Sequence, residues 1–191
     1  DFENIKDGWQ SMIRGTKNTG YWEVANLRFR DCSCAVKLYG GNVGIRASNL
    51  DIGRVREGFQ IFGMRDVADP FAGRDIIIRD TTVTHYTKRA VRLRDGVSDV
   101  RLIRVEADAG GRDWYREAFP IGFHVASEKG FPDCRDIVYV DCSASGNWHP
   151  NGDGYWNADG FGAERRVRGI VYIDCKAFNN TDGGWDDKSA N

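Results

Sequence analysis

One short pattern recurs along this chain and limits its folding more than any other feature. An alternating segment, in most copies closing on an Asp or Asn, reads LRFRDCSC at 27–34, IRASNLDI at 45–52 and IIIRDTTV at 76–83. It returns as LIRVEA at 102–107, IVYVDCSA at 137–144 and IVYIDCKA at 170–177. Period-two alternation rich in β-branched residues specifies strand. The Asp or Asn suits a corner, because it tolerates left-handed backbone. A second short strand follows each copy, led by a small residue: AVKL at 35–38, GFQI at 58–61, AVRL at 90–93, GFHV at 122–125, GFGA at 160–163 and GWDD at 184–187.

A unit with one apolar face cannot bury it alone, but stacked units share a continuous interior and pair in parallel along the stack. The pattern predicts an all-β, right-handed parallel β-helix of about six coils, a single domain over 1–191 with long loops on the C-terminal coils. A β-sandwich would need hairpin turns, and strand-flanked Asn-Gly pairs are missing. The opening DFENIKDGWQSMIRG, within 1–20, reads as an N-terminal cap. No cap is visible after the last strand, which reads as a fragment or as an end that something else covers. The residue after each corner reads Cys32, Leu50, Thr81, Val105, Cys142, Cys175, an inward ladder that predicts buried, reduced thiols.

Composition narrows the functional classes. A net charge of −1 gives no general nucleic-acid-seeking surface, and no apolar run is long enough to span a membrane. The N-terminus carries no visible signal peptide, which fits a mature secreted chain, a fragment or a cytoplasmic protein. The 5 cysteines lack zinc-ligand spacing.

The acids near the end carry the chemistry. Asp159 leads Gly160-Phe161, and one coil later Asp182 precedes Gly183-Gly184-Trp185, with Asp186 outward. Adjacent coils lie about 4.8 Å apart, so Asp159, Asp182 and Asp186 could approach one point. Carboxylates that close call for a cation, and an oxygen-ligand set suits calcium, with Asp153 and Asn157 as further ligands. The plainer alternative is a set of solvated turn acids.

NADGF at 157–161, followed by DCKAFNNTDGGWD at 174–186, resembles the calcium-dependent pectate lyases of polysaccharide lyase family nine. The resemblance implies Asp159, Asp182 and Asp186 as calcium ligands, with Gly183 standing where that family has a further Asp. It implies β-elimination on a uronate polymer, and a secreted location. The family's lysine base belongs to a later coil; the lysine beside the site here is Lys188, the candidate catalytic residue. NADG also resembles the Asn-Thr-Asp of polygalacturonases, which use paired Asp as acid and base. A non-catalytic carbohydrate-binding or structural β-helix is the third reading.

The rest of the groove follows from residue type. The outward column Lys37, Gln60, Arg92, His124 leads along the stack toward Asp186. Two insertions, at 107–120 and 145–158, carry Trp114, Tyr115, Trp148, His149, Tyr155 and Trp156, rings that could stack on sugars or simply pack the loops down. With Arg outnumbering Lys, an acidic polysaccharide such as pectate or alginate is the expected partner. Arg92, His124, Trp148, His149, Tyr155, Trp156 and Arg165 are the residues expected to meet it, on a scaffold expected to be a monomer.

Overall fold

The computed structural model describes residues 11–16, 20–40, 42–63, 73–114, 119–150 and 157–189. Its strands are β1 (Ser11–Gly15), β2 (Gly20–Ala25), β3 (Arg28–Tyr39), β4 (Val43–Ser48), β5 (Asp51–Phe62), β6 (Arg74–Arg94) and β7 (Ser98–Asp108). They continue as β8 (Ile121–Ala126), β9 (Cys134–Val140), β10 (Ser143–Ser145), β11 (Phe161–Glu164), β12 (Val167–Ile173), β13 (Lys176–Phe178) and β14 (Trp185–Lys188). All belong to one sheet with parallel pairing, so the fold is the parallel β-helix that the repeat predicts.

The sheet wraps into three faces, because the longer strands bend through corners. Face one stacks β2, β4, the start of β6, the start of β7, β9 and β12. Face two runs from early β3 and β5 through mid-β6 and late β7 to β10 and β13. Face three stacks β1, late β3, late β5, late β6, β8, β11 and β14. The sequence pattern resolves two segments per coil; the structure has three, since the first quoted segment in most copies already turns one corner.

Left-handed residues make those corners. Asn26, Asn49, Asp80, Arg104, Asp141 and Asp174 all have positive φ at the turn from face one to face two. Asp and Asn tolerate this conformation, which is why the repeat closes on them. One assignment changes. Asp31 lies at the next corner, with Arg54 and His85, and Asn26 takes its expected place. The inward column after the turn is therefore Leu27, Leu50, Thr81, Val105, Cys142, Cys175. Cys32 instead aligns with Val55 and, one rung further, Tyr86. Cys32 and Cys142 are buried and free, while Cys175 is only half-buried.

The interior is a set of apolar ladders. On face three, Val36, Phe59, Val91, Phe123, Phe161 and Trp185 follow one another in register. Phe161 stacks on Phe123 at 4.8 Å and on Trp185 at 5.2 Å, while Tyr139 and Tyr172 stack at 5.1 Å on face one. Offset stacks of this kind add to the burial of large rings. On the last rung the inward Trp185 remains 46% exposed, and β12, β13 and β14 have one paired edge each among the described residues. Of the stretch expected to cap the other end, Ser11–Gly15 extends the sheet by pairing with β3; residues 1–10 and 17–19 lie outside the described residues.

Candidate ligand face

Every long connection in the fold borders face three. Between faces two and three, Asp108 leads to Ile121 and Ser145 leads to Phe161; on the other flank, Phe62 leads to Arg74 and Ala126 leads to Cys134. Loops on a rigid solenoid are where binding groups collect, so the outer surface of face three is the candidate binding floor.

Three outward columns cross that floor. The central one is Lys37, Gln60, Arg92, His124, Gly162, Asp186, the order expected from the sequence. Beside it run Cys34, Glu57, Arg89 and Ile121, a line that the Gly122 N–H to Asp159 carbonyl bond carries on to Asp159. On the other side lie Tyr39, Phe62, Arg94, Ala126, Glu164 and Lys188.

Outward side chains of a solenoid are ordinarily wet, yet several here are not. Glu57 is fully buried, and Gln60, Arg89 and His124 keep less than a tenth of their surface. Arg92 Nη1 meets Glu57 Oε1 at 3.2 Å. Arg89 donates through Nη1 to the carbonyls of Lys88 and Phe119, tying the 109–120 loop to the floor. Phe119 in turn packs on His149 at 4.7 Å, so the two insertions meet above Arg89. Burial, reinforced by Arg92, brings Arg89 down to about 10, still charged at neutral pH.

At the far end the column loses its side chain at Gly162, leaving a notch between Ile121, His124 and Asp186. Burial pushes the Asp159 carboxyl up to about 6, and the charges of Asp182 and Asp186 add to the rise. The Gly183 N–H, donating to Asp159 Oδ1 at 2.9 Å, and the Lys188 cation oppose it. A Cβ at Gly183 would stand 2.9 Å from that oxygen. The glycine is therefore what lets the backbone reach the carboxylate.

His124 Nε2 stands 3.8 Å from Glu164 Oε2, beyond hydrogen-bond reach. Burial is the main cause holding His124 below the usual imidazole range, and Arg89 and Arg92 add to it. Glu164 is held low by His124 first, then by Lys188 and Arg89. These two shifts pull against each other, since a neutral imidazole lends no charge. His124 at 5% exposure between two arginines is neutral, and Glu164 stays ionised beside the permanent cations.

The expected site residues divide accordingly. Arg92, His124, Asp159 and Asp186 share the floor. His149 is buried and Trp148 half-buried, with the Arg112 guanidinium 5.6 Å above the Trp148 ring. Arg165 leaves the floor at a left-handed corner, pairs with Glu128 at 3.3 Å, and lines an open depression of about 940 Å³ with Lys129, Arg166 and Arg168. Tyr155 and Trp156, with Tyr115 and Asp153, lie outside the described residues. Lys188 is exposed and its ammonium is engaged by Asp186.

The three expected calcium ligands are electrostatically coupled, but they do not form a ready cradle. Asp159 Oδ1 accepts from Gly183, Asp186 Oδ2 is taken by Lys188, and Asp182 is exposed. Among the described residues, no group of three or more His, Cys, Asp or Glu side chains has metal-holding geometry. Glu57, Arg89 and Glu164 are the floor residues that sequence reasoning missed. Their signal was present for the first two, which immediately precede the small corner residues Gly58 and Ala90 as Asp159 precedes Gly160. Comparison with known proteins finds no family model, no curated protein and no solved structure that matches this chain.

Proposed function

We propose that this β-helix binds an acidic, uronate-containing polysaccharide along the outer surface of face three, in an extracellular setting, and that Asp159 and Asp186 are its reacting end. The observation that carries the reading is the coincidence of loops and charge. The four long connections begin or end at one face, and that face holds Lys37, Arg89 and Arg92 upstream of a buried, readily protonated carboxyl. An extended polyanion lies naturally along such a strip, because its repeating carboxylates meet repeating cations.

For the chemistry, hydrolysis has better support than the β-elimination implied by the resemblance to pectate lyases. Elimination needs a free base near the α-proton, and the Lys188 ammonium is engaged by Asp186. Acid–base hydrolysis needs two carboxyls whose environments separate their protonation. Asp159, raised to about 6, can deliver a proton to a glycosidic oxygen. Asp186, one rung beyond Gly162, can accept one from water. No step requires calcium. Binding without turnover is the second reading, favoured by the exposure of Trp185 and Lys188 on the reacting rung.

Incubation with pectate and with alginate tests the proposal, with retention in affinity electrophoresis, new reducing ends and absorbance of unsaturated products followed together. Salt-sensitive retention and reducing ends without unsaturation are expected. Unsaturated products would reinstate elimination, and no retention of any polyuronate at low salt would remove the function altogether.

A further inference from the structure

Resting on that ligand face, we infer that Arg92 is its specificity-determining residue, reading the carboxylate of one sugar through its guanidinium. The Arg92 group is oriented but underused. Its hydrogen bond among the described residues is a long one, Nη1 to Glu57 Oε1 at 3.2 Å, and its Cζ stands over the Phe62 ring, 5.5 Å from the centroid. The Nε side has no partner among the described residues. A guanidinium presents parallel N–H donors along that edge, matched to a carboxylate by two hydrogen bonds at once. Arg89, whose Nε is likewise unpartnered among the described residues, is instead anchored through Nη1 on two backbone carbonyls and is less exposed.

The neighbours of Arg92 are similarly incomplete. Gln60 Oε1, Glu57 Oε2 and His124 Nδ1 are buried without partners among the described residues, and Gln60 and His124 flank Arg92 directly in register. A buried polar atom left alone costs on the order of 1–3 kcal/mol, so four adjoining ones mark a place completed by something else. The atoms to be met are two acceptors, one donor edge and an imidazole. A uronate offers a carboxylate for Arg92 and a ring hydroxyl that can donate toward Gln60. The strip keeps an opening at Arg92, whose side chain is 18% exposed, whereas Glu57 beneath it has none. Glu57 serves as the internal carboxylate that holds Arg92 in place until the sugar arrives.

The test uses wild type, Arg92→Met, Arg92→Lys and the remote corner variant Arg54→Ala, each checked for native circular dichroism. Each is titrated with polygalacturonate and with its fully methyl-esterified form, which has the same backbone without free carboxylates. Wild type and Arg54→Ala should prefer the free acid. Arg92→Met should lose that preference, with polygalacturonate binding weakened on the order of tenfold to a hundredfold. Arg92→Lys, which keeps charge but not the fork, should recover only part of it. Undiminished preference in Arg92→Met overturns the assignment of Arg92 while leaving the ligand face intact. Binding of neither polymer by wild type overturns both.

Discussion

Replacing Asp159 with Asn should stabilise this protein at alkaline pH and leave it nearly unchanged in acid. Asp159 is 2% exposed and its carboxyl titrates near 6 in the fold, against about 3.9 for an unstructured aspartate. A group with a raised folded value contributes stability that is fully present below the unfolded value and lost as pH rises through the folded one. About two pH units at 1.36 kcal/mol each give a cost of about 3 kcal/mol above pH 7. Asparagine keeps the oxygen that accepts from Gly183 at 2.9 Å and removes the charge repelled by Asp182 and Asp186. Its amide also needs partners, so the net gain should be about 1–3 kcal/mol at pH 8. For a chain of this size that is roughly 3–10 °C in Tm. Thermal melts at pH 4.5 and pH 8 measure it; under the proposed hydrolysis, polyuronate cleavage should be lost at both. A variant less stable than wild type at pH 8, or a gain of equal size at both pH values, would refute the reasoning.

Phe161→Ala should cost about 3–5 kcal/mol in chemical denaturation, because Phe161 is 1% exposed between Phe123 and Trp185. Trp185→Ala should cost clearly less, since that ring is already 46% exposed. Millimolar calcium should move the wild-type Tm little, because Lys188 already neutralises Asp186, whereas Lys188→Met should make the melt calcium-responsive. A large calcium shift in wild type would mean that the acids rearrange around the ion. In native labelling with a thiol reagent, Cys175 should react first; burial pushes Cys142 up to about 12, and Cys32 up to about 11, so both should wait for unfolding.

The local pattern carried most of the fold. Alternation such as IVYVDCSA and IVYIDCKA encodes strand, and a terminal Asp or Asn encodes a left-handed corner, so stacking in parallel follows with no long-range information. The same register, counted from the small corner residues, places Lys37, Gln60, Arg92, His124, Gly162 and Asp186 in one line from spacing alone. Where two residues suited one corner, as Asn26 and Asp31 did, propensity could not choose, because both tolerate positive φ.

Burial of outward positions was beyond the pattern. Glu57 and Arg89 drew no reading from the sequence and His124 read only as an outward position, yet all three are buried in the fold. The same holds for the acids. Spacing brings Asp159, Asp182 and Asp186 near one another, but whether they meet a cation, a lysine or a backbone N–H depends on side-chain directions within a few ångströms. Sequence periodicity fixes which rung and face a residue occupies; the dielectric around it and the partner it finds are properties of the assembled coils.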